Sequence, residues 1–138
     1  MLRLNKAMST QEDANRQTIL NLMKALDACE EKVIRAIIDP KATWWVLGVG
    51  TLDVETMIAQ LKQLLGTARI AETTILGTTA EGDRVAVESR GNFEFEDGRV
   101  YRNSYHHLFE LREGRVVAVR EYLDLRVTEA VFGPMAAG

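Results

Sequence analysis

Three short signals set the frame of this chain: Glu81-Gly82-Asp83, Glu96-Asp97-Gly98 and Arg112-Glu113-Gly114. Each joins acidic residues to a glycine, the chemistry of a tight connection between strands. They divide the second half into segments near 68–80, 84–95, 99–111 and 115–126. Each segment has about a dozen residues, roughly twice an ordinary strand. Strands that long must bend, and Gly77 and Gly91 lie mid-segment where bulges would bend them. A meander of this kind curls around whatever it encloses.

What it encloses comes from the first half. Ser9 with Glu12 three residues later fits a capping box at a helix start. Ile19, Met23, Leu26, Val33, Ile34, Ile37 and Ile38 then form one apolar stripe up to Asp39-Pro40, with a break near Ala28 to Glu31. Ala42 to Leu47 reads as a short strand closed by Gly48 and Gly50, and Asp53 caps a second helix that stops at Gly66. Glu129 to Phe132 is expected to add a last partial turn. Helices followed by a curved antiparallel sheet make an α+β fold, with the helices in the concave side. The expectation is one domain over 9–132, a disordered N-terminus over 1–8 and a tail over 133–138.

Charge and composition exclude several functions. There are 17 basic and 20 acidic residues, net −3, with no basic cluster, so nucleic acid is not an expected partner. No apolar run approaches the roughly 18 residues of a membrane span, and the N-terminus lacks a signal-peptide core. The expected location is cytoplasmic. Cys29, the single cysteine, excludes an internal disulfide and a cysteine-based metal cluster, and reads as packed in a helix. His106 and His107 are strand neighbours facing opposite sides, so they form no metal site. No metal and no cofactor are expected.

Alternation places Tyr101, Asn103, Tyr105, His107, Phe109 and Leu111 on one face of the third long strand. The fourth sets Val117, Val119, Leu123 and Leu125 on one face, with the single carboxylate Glu121 among them. A lone acid opposite an aromatic wall is the pattern of a small-molecule pocket. Burial would raise the Glu121 pKa above about 4.3 and fit it for general acid–base work, with His107 polarising a carbonyl. The competing readings are an ion pair of Glu121 with Arg90, and a core histidine satisfied by a backbone carbonyl. Tyr101, Asn103 and Tyr105 are candidate ligand contacts or ordinary core, and Arg90, which shares a polar face with Glu88, is a further candidate ligand contact or half of a solvated or interface pair. Trp44 and Trp45 face opposite ways. Outward Leu108, Val116, Ala118 and Tyr122 would leave an apolar patch on a monomer, so a homodimer is expected.

The run from Tyr101 to Glu110, with Gly114-Arg115-Val116-Val117 and Glu121-Tyr122-Leu123-Asp124, resembles the SnoaL-like branch of the nuclear-transport-factor-2-like superfamily. Trp44-Trp45-Val46 and Gly82 to Glu88 resemble it too, so the resemblance covers about 12–132. It implies a conical barrel with an internal apolar pocket, usually dimeric through the outer sheet face. Ketosteroid isomerases, polyketide cyclases, epoxide hydrolases and members without chemistry all belong to that superfamily. In the limonene-epoxide-hydrolase-like members an Asp begins the final motif, and Glu121 takes that position here. Their Arg-x-Asp pair falls on Ser89 and Gly91, or after a one-residue slip on Arg90 and Asn92, and neither register supplies a second acid. Their Tyr-x-Asn pair falls on Trp44 and Val46, which places Trp44 in the pocket. The resemblance therefore favours a cofactor-independent isomerase or cyclase, with Glu121 as acid/base on a largely apolar carbonyl or polycyclic substrate, over an epoxide hydrolase. The alternative is a non-catalytic hydrophobic-ligand-binding or dimerisation module.

Overall fold

The computed structural model describes residues 2–135, and the side chains of residues 2–9 lie outside that description. The expected disorder over 1–8 falls on Met1 and on those undescribed side chains, and 136–138 of the tail also lie outside. The elements are α1 (Leu2–Asp27), α2 (Glu31–Ile37), β1 (Ile38–Val46), β2 (Gly50–Asp53), α3 (Val54–Leu65), β3 (Ala68–Glu81), β4 (Arg84–Phe95), β5 (Val100–Arg112), β6 (Arg115–Leu123) and α4 (Leu125–Phe132). All six strands form one sheet, ordered β2-β1-β6-β5-β4-β3. The architecture is the expected α+β cone, with two refinements. The sheet is mixed, because β1 pairs with β6 in parallel, and it does not close into a barrel.

The three turn signals fall at the ends of β3, β4 and β5. The strand β2 was not anticipated: four residues beginning at a glycine carry too little alternation to register. Gly77 lies at a register shift in β3, as expected. Gly91 does not. It pairs in register with Thr73 and Asn103, and a Cβ there would lie 2.4 Å from Phe93 Cε2 and 3.1 Å from Tyr105 Cε2. This glycine makes room for two rings rather than a bend.

The helical stripe breaks where expected. Cys29 N–H bonds to Leu26 O and Glu30 N–H to Ala25 O, closing α1 in a Schellman arrangement with Cys29 left-handed at φ 50°. The break resets the helical phase, so Ile34 is buried while Val33 is 37% exposed. A non-glycine residue in that conformation carries roughly 1–2 kcal/mol of strain, and glycine returns part of that through a freer unfolded chain. Cys29→Gly should therefore raise stability by up to about 1 kcal/mol, read as a higher urea midpoint at constant m-value. Because α1 begins at Leu2, Ser9 sits inside the helix rather than at its cap, and the Glu12 carboxylate accepts from Gly82 N–H instead.

Asp53 caps α3 by accepting from Thr56 N–H, as its sequence position predicts. The expected partial turn at the C-terminus is a full helix, α4, capped by Asp124. Against β5, the strand β6 carries a bulge: Glu110 pairs with Ala118 but Leu111 with Val116. Val117 is the extra residue, so Val116 turns inward and is fully buried. The apolar outer face expected to include Val116 is accordingly smaller, with Tyr122 exposed and Leu108 and Ala118 half-buried. One core cluster joins α1, α2 and α3 to the sheet, and a second gathers Phe93, Phe95 and Tyr101 beneath α4. Among the described residues no helix is long and apolar enough to cross a membrane.

Candidate active site

A cavity of about 190 Å³ is lined by members of both clusters, including Met23, Trp44, Met57, Phe93 and Tyr101. Its wall is mostly apolar, and its polar groups come from few positions. The sheet dictates them. His107 pairs directly with Glu121 across β5 and β6, while Trp44 pairs with Val119, two residues before Glu121 on the same face. Three strands thus aim three side chains at one point.

Glu121 Oε1 accepts from Trp44 Nε1–H at 2.8 Å and lies 3.4 Å from His107 Nε2. The glutamate side chain is 17% exposed and the histidine 7%. Burial works to raise the Glu121 pKa. The positive charge of His107 and the hydrogen bonds from His107 and Trp44 outweigh it, and the carboxyl is held below its ordinary value. The sequence expectation of a raised pKa is therefore reversed, and the partner is His107 rather than Arg90. Desolvation alone was visible in the sequence; the two converging donors were not.

The imidazole is fixed by its neighbours. His107 stacks on Tyr105 at 5.7 Å and on Phe109 at 5.5 Å, and meets Trp44 edge-on at 6.1 Å. Its Nδ1 is buried with no hydrogen-bond partner among the described residues, as is Ser89 Oγ. Both residues line the cavity. The Tyr105 hydroxyl donates to Tyr101 Oη at 3.1 Å. Burial, then the neighbouring Tyr101, then the charges of Glu121 and Asp27 push the Tyr105 phenol far above its ordinary value, so it stays protonated.

Of the residues singled out from sequence, Glu121, His107, Trp44, Tyr101 and Tyr105 line the cavity. Asn103 and Arg90 do not. Asn103 faces inward, but its amide is consumed by Tyr101 Oη, Asp124 O and Thr128 Oγ1, and its carbonyl oxygen by Ser104 N–H. Arg90 is exposed on the outer face in a depression shared with Glu88 and His106. Trp45 also points outward, edge-on to Tyr122.

Sequence reasoning missed Asp27, whose carboxylate reaches the cavity from the last residue of α1. It accepts from Thr73 N–H at 2.8 Å and from Thr73 Oγ1 at 2.7 Å. Burial raises its pKa in spite of those bonds. An acid at a helix end reads as a solvated position, and only the fold of α1 over β3 brings it inside.

A family model described as a SnoaL-like domain matches residues 19–119. No curated protein matches the chain. Similar solved structures include a protein from Jannaschia sp. CCS1 described as a candidate SnoaL-like polyketide cyclase, at 24% identity and TM-score 0.76, covering 89% of this chain and 94% of that one. Bal32a, from a soil-derived mobile gene cassette, shares 23% identity at TM-score 0.76 over 87% and 97% of the two chains. An epoxide hydrolase of M. tuberculosis, described as LEH-like, shares 15% identity at TM-score 0.74 over 88% and 92%. At these identities the likeness is one of fold.

Proposed function

The chain belongs to the SnoaL-like domain family, and from that premise we propose a cofactor-independent proton-transfer enzyme of the isomerase or cyclase kind. Glu121 is the base, acting on a small, largely apolar carbonyl compound. The observation that carries this reading is the convergence of Trp44 and His107 on Glu121 at the wall of an apolar cavity. A carboxylate held ionised in such a place is available to take a proton at neutral pH. Held below its usual pKa it is also a weak base, so its substrate needs a C–H bond already acidified by an adjacent carbonyl. Nδ1 of His107, without a partner among the described residues, donates in the imidazolium form to the enolate oxygen that forms.

Epoxide hydrolysis with a second acid on β4 is not favoured, because that strand offers Ser89 and Gly91, and the rings of Phe93 and Tyr105 leave no room for a side chain at Gly91. The second reading, a hydrophobic-ligand-binding module, is supported by the apolar lining alone.

The two are separated by 2-tetralone, a bicyclic ketone with acidic C–H bonds. Incubated in deuterated water with the enzyme, it should exchange its α-protons well above the buffer rate, and Glu121→Gln should cut that exchange by about 100-fold or more. Binding without exchange, unaffected by Glu121→Gln, would establish the binding module instead.

A further inference from the structure

The polar groups of the cavity are not scattered. Across the sheet Glu121 stands directly opposite His107. Ser89 pairs with Tyr105, which puts it diagonally beside His107 on the same face. Thr73 pairs with Gly91, which puts it diagonally beside Ser89, and Thr73 in turn holds Asp27 through both its N–H and its hydroxyl. These residues form one oblique polar track over β6, β5, β4 and β3, and all five line the same cavity. A carboxylate stands at each end. Between them lie Ser89 Oγ and His107 Nδ1, each buried by more than nine-tenths and each without a partner among the described residues. Buried polar atoms are normally satisfied, so two orphans side by side in a cavity wall mark where a ligand's own polar atom belongs.

We infer that the pocket recognises a largely apolar compound with two separated oxygen functions: a carbonyl or enol oxygen on Ser89 Oγ and His107 Nδ1 beside Glu121, and a hydroxyl donating to Asp27. This rests on the pocket reading above and adds the far end of the ligand. Thr73 fixes the Asp27 carboxylate in place, and a carboxylate has lone pairs left after those two bonds. Tyr105 lies between the two poles, and its phenol feels the charge of both. The bland alternative is that Asp27 only ties the end of α1 to the edge of the sheet.

Naphthols test the difference without knowledge of the natural substrate. Calorimetry would compare 2-naphthol, which has one oxygen, with 2,6- and 2,7-dihydroxynaphthalene. The tighter diol should bind wild type at least tenfold better than 2-naphthol. In Asp27→Asn, which preserves the shape of the tie to Thr73, that advantage should fall below threefold while 2-naphthol affinity stays within twofold. Ser89→Ala should weaken all three phenols together. A purely structural Asp27 would weaken the phenols alike and leave the ratio intact, and a wild type with no diol advantage would overturn the inference while sparing the pocket reading. Failure of 2-naphthol itself to bind would remove both.

Discussion

Asn103→Leu should lower the unfolding free energy by about 2–4 kcal/mol. The side chain is 7% exposed and sits where β5 meets α4. Its Nδ2 donates to Asp124 O at 2.9 Å, Tyr101 Oη at 3.0 Å and Thr128 Oγ1 at 3.2 Å, and its Oδ1 accepts from Ser104 N–H at 2.8 Å. Tyr101 Oη and Thr128 Oγ1 are themselves 2.7 Å apart. Leucine fills the volume but removes the acceptor of the Ser104 N–H and of the longer contact from the Asp124 N–H, together with the donor to two buried hydroxyls, while Asp124 O keeps the N–H groups of Val127 and Thr128. Each stranded buried group costs roughly 1–3 kcal/mol, with part recovered because the two hydroxyls keep each other. Urea denaturation reads the loss, and amide exchange in α4 should quicken, since Asp124 and Thr128 belong to its first turns. A change below about 1 kcal/mol would mean that water replaces the amide freely and that the network is not what seats α4.

The same residue shows what alternation can and cannot reveal. Period-2 reasoning turned Tyr101, Asn103, Tyr105, His107, Phe109 and Leu111 to one face of β5, and all six are buried or half-buried there. It could not distinguish the ones that meet the cavity from Asn103, because two of that amide's partners, Asp124 and Thr128, come from α4 and its cap, of which the sequence suggested only the last turn. On β6 the same logic failed at one point for a local reason. The bulge at Val117 reverses the parity of Val116 against Val119, and nothing in a run of valines advertises a bulge. Long, uniform segments with turn chemistry at both ends were legible. Features that depend on two distant elements meeting were not: the parallel pairing of β1 with β6, the arrival of Asp27 from α1, and the donors that converge on Glu121.

That convergence fixes the sign of the other large effect. Had burial alone governed Glu121, Glu121→Gln would hold or raise stability at neutral pH. With His107 and Trp44 holding the carboxyl below its ordinary value, the substitution should instead cost about 1–3 kcal/mol at pH 7. The amide still accepts from Trp44, but it carries no charge for His107 to face. A group whose folded pKa lies below its unfolded value contributes stability that is present above the unfolded pKa, about 4.3 for glutamate. That contribution fades as pH falls through the folded pKa. Asp27, pushed up by burial, acts in the opposite sense: its contribution is present below its unfolded pKa and lost as pH rises through its folded one. Asp27 is common to both proteins, so it cancels when wild type is compared with Glu121→Gln at each pH. The gap in unfolding free energy should therefore shrink below about pH 4. A Gln variant as stable as wild type at pH 7, or a gap that widens in acid, would mean that burial wins at Glu121. The base would then be a neutral acid at rest, and proton abstraction by an ionised Glu121 would lose its footing.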